Sequence, residues 1–507
     1  MSENHNIVLV RSAMFFSSGR IGTIEGLPPL GLAYLAGYLR KNHINNLSIL
    51  DAFGEAPLKR SRLEEFTVCG LTNEELLEKM PQQVAIVGIS CMFSNEWYYT
   101  KLLIKSVKQK FPEAVIVAGG EHPTAMTEQI LKNCVELDYI IRGEGEHAFF
   151  ELVQTLLTGK GALEQIGGLA RRENGEIVIN PSTRLQELTA LPDPAWDLVP
   201  IRNYLDHGVN IIKSNATRSI PIIASRGCPY TCRFCSNPQM WGKLYRLRPP
   251  QEVVNELKRY KDLYQINAFE LFDLTFVMNP KWTIEFCTRL IEARLDLIWN
   301  IPNTRSEALN PEIVALLKKS GCQNISLSPE SGSQWMLKDM EKRIKLPNML
   351  RCTRMLARSG INTKVNMVIG FPGEKHRDVW MTLFYAIRFS ISGVDSTLFY
   401  HFVPYPGSAY FKQVVERDHL PQDGDAFDRF LVSNIYNEMD KIVSYSEHIS
   451  STALKFYIFF GLSVSFLSFL LTHPVEIYRT INRLLQKKPK THLEATLLNF
   501  FHKEKLS

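Results

Sequence analysis

Short apolar runs alternate with amphipathic segments along the first part of the chain. The runs that are typical of buried parallel strands are residues 7–10, 47–50, 84–90, 114–117 and 139–141. Apolar positions recur with helical spacing at residues 30–39 and 98–110. This alternation predicts an α/β domain over residues 1–150 with an open, doubly wound, Rossmann-like sheet.

A second β/α series follows a looser, proline-containing stretch that we interpret as a linker over residues 151–215. Its strand-like runs are residues 222–225, 268–272, 298–301, 325–328, 364–369 and 396–402. Helical segments such as Pro250–Tyr264 lie between them. Six repeats are too few for a closed eight-stranded barrel, so the pattern predicts a partial (β/α)6 barrel over residues 216–415.

The remaining residues, 416–507, have a helical pattern that contains one long apolar run. Residues 456–475 include no Lys, Arg, Asp or Glu, and the basic residues Arg479, Arg483, Lys487, Lys488 and Lys490 follow. The run has three interpretations: a marginal membrane span, an interfacial helix, or a helix buried against the barrel. We favour peripheral membrane contact through 456–475, which would argue for a lipophilic substrate.

Composition narrows the class of protein. A net charge of +6 over 507 residues gives no argument for nucleic acid as a partner. The nine cysteines do not form the dense framework of a secreted disulfide protein, and the polar N-terminus has no signal-peptide pattern. We therefore expect a cytoplasmic protein. The apolar run of residues 456–475 adds the expectation that it associates with a membrane.

Three cysteines lie close together just after the first strand of the second series. Cys228, Cys232 and Cys235 have the spacing C-x3-C-x2-C. A zinc site normally closes with a fourth Cys or His, and none lies between Cys235 and Cys287. Three thiolates suit a four-iron four-sulfur cluster with one iron left open, although zinc or chance remains the alternative.

This motif resembles the signature of the radical S-adenosylmethionine (SAM) family. The resemblance implies a [4Fe-4S] cluster whose open iron binds SAM, an electron from the cluster, and cleavage of SAM to a 5′-deoxyadenosyl radical. It also implies that Phe234 and Gly370 lie near the adenine, Asp273 near the SAM ammonium group and Glu330 near the ribose. The plain alternatives are packing for Phe234, a tight turn for Gly370, and helix caps for Asp273 and Glu330.

The N-terminal domain resembles the cobalamin-binding domains of a large radical SAM branch. The matching pieces lie at the predicted strand ends, where small residues let a bulky nucleotide tail approach the backbone. The resemblance implies tail contacts at Ser90, Gly119 and Gly120, with Gly143 and Glu144 near the same cleft. Gly-Gly and Gly-Glu-Gly are also ordinary turn sequences.

One departure concerns the cobalt ligand. The related pattern D-x-H-x-x-G corresponds here to Asp51-Ala-Phe-Gly, with Phe53 at the histidine position. We therefore expect cobalamin without histidine ligation from that loop.

Together these resemblances imply a cobalamin-dependent radical SAM enzyme that methylates an unactivated sp3 carbon. SAM would serve as radical source and methyl source, and the catalytic acid or base is not identified. The expected partners are a small-molecule or lipophilic substrate and an electron donor such as flavodoxin or ferredoxin. The alternatives are cyclisation, oxidation or rearrangement without methyl transfer, and a non-catalytic cobalamin or iron–sulfur sensor.

Overall fold

The computed structural model describes residues 6–17, 26–207, 218–418, 420–421, 424–435 and 441–486. The basic residues Lys487, Lys488 and Lys490 noted in the sequence lie outside the described residues.

A mostly parallel sheet forms the centre of the N-terminal part. The strands are β1 (Ile7–Arg11), β2 (Met14–Ser17), β3 (Leu47–Asp51), β4 (Arg60–Leu63), β5 (Phe66–Cys69), β6 (Ile86–Ser90), β7 (Val115–Gly119), β8 (Tyr139–Ile141), β9 (Leu169–Glu173) and β10 (Glu176–Ile179). The helices are α1 (Leu30–Lys41), α2 (Ala52–Glu55), α3 (Asn73–Glu78), α4 (Trp97–Lys110), α5 (Glu121–Ala125), α6 (Thr127–Asn133) and α7 (Glu146–Thr158). The large sheet has the order β10-β9-β8-β7-β6-β1-β3, and β2, β5 and β4 form a small antiparallel sheet.

Helices cover both faces of the large sheet. Ile7 and Leu9 pack in one hydrophobic cluster with α1 and α7, while Val8 and Val10 pack in another with α4 and α6. Side chains of a strand alternate between faces, so a continuous apolar run requires cover on both sides. The predicted doubly wound domain is confirmed.

The sheet continues beyond residue 150, into the segment expected to be a linker. β9 pairs antiparallel with β8, and β10 pairs antiparallel with β9. Residues 169–179 therefore extend the N-terminal sheet. The apolar positions of these strands are interrupted by charged residues such as Arg171 and Glu173, so the sequence did not predict them.

A second parallel sheet forms the partial barrel. The strands are β11 (Ser219–Ile222), β12 (Ser225–Arg226), β13 (Arg246–Leu247), β14 (Ala268–Leu271), β15 (Ile298–Thr304), β16 (Cys322–Glu330), β17 (Asn362–Ile369) and β18 (Ser396–His401). The helices are α8 (Ile201–Asp206), α9 (Asn237–Met240), α10 (Pro250–Tyr264), α11 (Pro280–Glu292), α12 (Pro311–Lys319), α13 (Gln334–Asp339), α14 (Leu346–Ser359) and α15 (His376–Ile391). The six parallel strands have the order β11-β14-β15-β16-β17-β18, and β12 pairs with β13 outside them. The predicted partial (β/α)6 barrel is confirmed.

The C-terminal part is helical in the described residues. Its helices are α16 (Ala409–Asp418), α17 (Gly424–Ser433), α18 (Ser451–Thr472) and α19 (Pro474–Leu485). α17 packs on the N-terminal domain, where Lys101 of α4 lies 2.9 Å from Asp428. The chain after the barrel thus returns to the first domain and ties the two parts together.

Candidate active site

The three cysteines of the motif lie on the loop between β12 and α9. Gly227, just before Cys228, has a φ of 88°, a conformation that favours glycine and turns the chain into the loop. The backbone N–H of Cys235 donates to the carbonyl of Cys232 at 3.0 Å, and none of the three thiols is in a disulfide. The short loop therefore gathers the three thiols at the carboxyl end of the first barrel strands.

Burial and mutual electrostatics act on these thiols. The pKa of Cys235 is raised to about 12, mainly by burial and in addition by the nearby Glu121, Cys232 and Cys228, against a backbone hydrogen bond that lowers it. Burial also raises the pKa of Cys232. Groups whose charges act on one another in this way lie close together, as ligands of one cluster must.

In the described residues, no three His, Cys, Asp or Glu side chains converge tightly enough for a single metal ion. The preference for a [4Fe-4S] cluster over zinc rests instead on the number of ligands, because no Cys or His between Cys235 and Cys287 completes a closed zinc site, whereas three thiolates leave one iron of a cluster open.

Two cations lie beside the cysteine loop and were not identified from the sequence. The positive charges of Lys342 and Arg305 lower the pKa of the Cys232 thiol, against the larger effect of burial. The Arg305 guanidinium lies 3.6 Å from the centroid of the Tyr230 ring, on the cysteine loop. Arg305 directly follows strand β15, and this position at a strand end could have identified it from the sequence. Lys342 lies in a loop with no local motif, so the sequence offered no signal for it.

Glu330 ends strand β16 in an unusual backbone conformation. Its φ is 66°, although it is not a glycine, and its side chain is buried beside Lys342 at 2.5 Å. Left-handed conformations of such residues are costly and concentrate at functional sites. The cap of α13 is Ser333, which accepts a hydrogen bond from the N–H of Met336, so the helix-cap interpretation of Glu330 is wrong.

Phe234 and the turn at Gly370 meet near the same place. The Phe234 ring lies 6.1 Å from the Phe371 ring and 5.4 Å from the Lys342 ammonium group. Gly370 has a φ of 93°, and a side chain there would also meet Leu454 of α18. The fold thus brings Phe234 and Glu330 together beside Lys342, and Phe371 of the Gly370 turn packs near Phe234.

Asp273 follows strand β14 and binds the chain that leads to the cysteine loop. Its carboxylate accepts hydrogen bonds from the N–H of Ala224, at 2.8 Å, and from the hydroxyl of Ser225. Burial raises its pKa to about 7, although these hydrogen bonds lower it. In this conformation Asp273 positions the segment before the cysteines.

A cavity of about 330 Å3 lies between the N-terminal sheet and the barrel. The residues that the sequence assigned to the nucleotide tail and its cleft all line it: Ser90, Gly119, Gly120, Gly143 and Glu144. A β-carbon at Gly120, whose φ is 114°, would lie 2.5 Å from the carbonyl oxygen of Cys91. At the glycines, the cavity wall therefore consists of backbone atoms, which a ligand can approach without contacting side chains.

The other wall of the cavity comes from the barrel. Ile223, Arg226, Asn237 and Met240 line it, and they flank the cysteine loop on both sides along the chain. A cofactor in this cavity would therefore contact both domains, including residues that precede and follow the cysteine loop.

Glu144 does more at this boundary than line the cavity. Its carboxylate forms an ion pair with Arg246 and lies 3.7 Å from Arg226, while Glu146 lies 2.6 Å from Arg226. The Arg226 guanidinium also lies 5.3 Å from the ring centroid of Tyr34. This buried network, which the sequence did not predict, links the two domains beside the cavity.

Phe53 does not line the cavity. It is buried against Tyr204, with ring centroids 5.8 Å apart. Pro28, Pro29 and Leu30 line the cavity on that side, and the described lining residues include no histidine. The expectation of no histidine ligand therefore rests on these residues and not on Phe53.

Comparisons with known proteins agree with this arrangement. The family model "Radical SAM superfamily" matches residues 222–386, and the model "B12 binding domain" matches residues 22–153. The chain is 29% identical over 394 residues to an uncharacterized methyltransferase of Pyrococcus horikoshii. The alignment covers 78% of this chain and 80% of the methyltransferase. It is also 29% identical over 364 residues to the anaerobic magnesium-protoporphyrin IX monomethyl ester cyclase of Rubrivivax gelatinosus. That alignment covers 71% of this chain and 62% of the cyclase.

Among solved structures, the fold resembles the cobalamin-dependent S-adenosylmethionine radical enzyme OxsB with aqua-cobalamin and S-adenosylmethionine bound. The TM-score is 0.68 at 15% identity, covering 99% of this chain and 75% of that chain. This likeness shows the fold, and the two family models confirm the predicted cofactors. The two segments that the models match are those whose surfaces meet at the cavity.

Proposed function

We propose that this chain, which belongs to the cobalamin-binding radical SAM family, is an enzyme that methylates an unactivated sp3 carbon. The observation that carries the proposal is the shared cavity, with a glycine-rich sheet edge on one side and the flanks of the cysteine loop on the other. Methyl transfer to a carbon radical requires both cofactors next to one substrate, because such a radical is too reactive to travel.

The cofactors supply the reactive chemistry, and the chain supplies binding and orientation. When bound, the cluster supplies the electron that cleaves SAM, and cobalamin supplies the methyl group. Cys228, Cys232 and Cys235 are the residues that would hold the cluster. The backbone at Gly119, Gly120 and Gly143 would admit the cobalamin tail, with Ser90 and Glu144 beside it.

The barrel residues would orient SAM. Phe234 and the Gly370 turn offer apolar surface for the adenine, and Glu330 offers a charged acceptor for the ribose hydroxyls. Asp273 would stay near the SAM ammonium group while it positions the segment before the cysteines.

The second candidate function is cyclisation, oxidation or rearrangement without methyl transfer. It is favoured by the 29% identity to a cyclase, over 71% of the chain. A non-catalytic sensor is disfavoured, because the three-cysteine motif lies in a segment that matches the radical SAM family model, residues 222–386.

The partners follow from the chemistry. The cluster needs an electron donor such as flavodoxin or ferredoxin, and the substrate is a small-molecule or lipophilic biosynthetic intermediate. The expected location is the cytoplasm, with membrane contact through 456–475.

Product analysis tests the proposal. Reconstituted protein is incubated with SAM that carries a CD3 methyl group, a reductant and a cell extract of small molecules and lipids. Methylation yields a CD3-labelled product, with S-adenosylhomocysteine and 5′-deoxyadenosine in equal amounts. Formation of 5′-deoxyadenosine without S-adenosylhomocysteine would favour the second function, and formation of neither would favour the sensor. Cys235→Ala protein is the matched control.

A further inference from the structure

Helix α19 presents its apolar side to solvent. Val475, Tyr478 and Leu485, spaced along one stripe, are 63%, 73% and 78% exposed, while the polar Thr480 is buried. A helix that packs on its own protein turns its apolar stripe toward the core. The reversed orientation of α19 indicates that its apolar stripe meets something other than the described part of this chain.

Helix α18 adds a second apolar stripe. Leu454, Ile458 and Gly461 face the barrel, and a β-carbon at Gly461 would lie 2.8 Å from the Phe399 ring. The opposite side exposes Phe456, Phe459, Leu467 and Leu471.

Helix α15 of the barrel completes the surface. It exposes Trp380, Met381, Phe384 and Ile391, and the Trp380 ring lies 5.7 Å from the Tyr457 ring of α18. Of the 21 large hydrophobic residues exposed in the described chain, 13 lie on α15, α18 and α19. Scattered exposed apolar residues need no explanation, but a patch this concentrated marks an interaction site. We refer to it as the α15–α18–α19 surface.

The way α18 is packed argues against a membrane span. The helix is long and apolar enough to cross a bilayer. Its barrel-facing residues, however, extend from Leu454 to Ser465, and Phe469 still lies near Ser396 of β18. A span would carry the neighbouring barrel strands into the hydrocarbon, so α18 fits a helix that lies in the plane of the bilayer surface.

The charges beside this surface select the partner. The described part of the chain from residue 451 onward contains three Lys and Arg residues and one Glu residue. Arg388, beside Phe384 at 5.5 Å from its ring centroid, adds a cation at the other end. Basic residues next to exposed Trp, Tyr and Phe are typical of helices that bind anionic bilayers. The same charges would repel one another across a symmetric contact between two copies of the chain.

We propose that the α15–α18–α19 surface docks the enzyme on the surface of an anionic phospholipid bilayer, with α18 and α19 lying flat in the interface. This inference stands independently of the reaction catalysed, because it rests on residues outside the site.

Flotation with vesicles tests the proposal on the full chain. Phosphatidylcholine vesicles with and without phosphatidylglycerol are the probes, and binding to the anionic vesicles is expected to be about tenfold tighter and to weaken with salt. The triple variant Tyr478→Ser, Ile481→Ser, Leu485→Ser should bind at least about tenfold more weakly. The matched control Leu58→Ser, Val135→Ser, Leu263→Ser changes three exposed apolar residues elsewhere and should bind like the parent chain.

Three outcomes would overturn the proposal. Absence of binding to anionic vesicles would mean that the C-terminal segment of the chain or another protein covers the surface. Retention in vesicles after an alkaline carbonate wash would mean a span. A dimer that the α19 variant dissociates, without vesicle binding, would mean that a second copy covers the surface. 5′-Deoxyadenosine formation by the same variants reports on the proposed function separately.

Discussion

The ammonium group of Lys342 lies 2.5 Å from the carboxylate of Glu330, and each side chain is only about a tenth exposed. A buried carboxylate is costly unless a partner compensates its charge. The ion pair therefore fixes the Glu330 side chain at the end of β16, and the same ammonium group lies 5.4 Å from the centroid of the Phe234 ring. A carboxylate that is fixed in place is a suitable acceptor for ribose hydroxyls.

Glu330→Gln should weaken SAM binding by about one to two orders of magnitude. Hydrogen bonds to a charged acceptor are worth about 1–3 kcal/mol each, and each 1.4 kcal/mol is about tenfold in affinity. The SAM dissociation constant is the measurement, made below the Tm of the variant because Lys342 loses its partner. Iron and cobalamin content should stay normal. The exposed Glu312→Gln is the matched control, and unchanged SAM affinity in Glu330→Gln would rule out the proposed role.

Replacement of any one motif cysteine should abolish SAM cleavage. The parent protein, reconstituted without oxygen, is expected to contain about four irons and four sulfides. Cys228→Ala, Cys232→Ala and Cys235→Ala should each lose the cluster, seen as reduced iron content and absence of 5′-deoxyadenosine. Cys287→Ala, in a buried position on α11, should retain both. Deoxyadenosine formation by any of the three motif variants would contradict the assignment.

Cobalamin is expected to bind without histidine ligation to cobalt. The described residues that line the cavity include Pro28, Pro29 and Leu30 but no histidine. The electron paramagnetic resonance spectrum of the cob(II)alamin form should therefore lack nitrogen superhyperfine splitting. Observation of that splitting would refute this prediction. Failure to bind cobalamin would refute the methylation proposal as well.

Arg226→Met should destabilise the association of the two domains. The guanidinium is buried between Glu144 and Glu146, and its removal leaves the buried Glu146 carboxylate without its ion-pair partner, at a cost of about 3–5 kcal/mol. Chemical denaturation and cobalamin loading are the measurements, and both should fall. Arg40→Met removes an exposed ion pair with Asp197 and should cost about 0–1 kcal/mol. Equal losses of stability in Arg226→Met and Arg40→Met would show that the buried network contributes no more than an exposed ion pair does.

Glu374 should make stability fall as the pH rises. Burial raises its pKa to about 8, above the ordinary value of 4.5, although hydrogen bonds from Gly370 and Phe371 lower it. The folded state therefore holds this proton more tightly than the unfolded state. The resulting stabilisation is fully present below about pH 4.5 and is lost as the pH rises through about 8. Urea unfolding of the parent and of Glu374→Gln at about pH 6 and pH 9 should show a smaller decrease for the variant. Equal decreases would contradict the prediction.

The sequence determined the local chemistry and the class of fold. Cys228, Cys232 and Cys235 lie within eight residues of one another, so a single loop fixes their proximity whatever surrounds it. The apolar runs of both β/α series predicted parallel strands, because a strand that is buried on both faces of its sheet has apolar residues at successive positions. Gly119 ends one strand, and Gly120 and Gly143 follow strands whose carboxyl ends meet at one edge, so their convergence on one cavity was also predictable.

Only the tertiary structure decided which distant residues meet. Lys342 and Arg305 reach Cys232 from segments 70 or more residues away, and Arg226 pairs with Glu144 and Glu146 across two domains. Phe53, chosen by its place in a motif, packs on Tyr204 outside the cavity. The sequence showed the apolar run of residues 456–475, but not which of its side chains face the barrel and which face solvent. A sequence pattern identifies which side chains avoid water, whereas the packing of the whole chain decides what covers them.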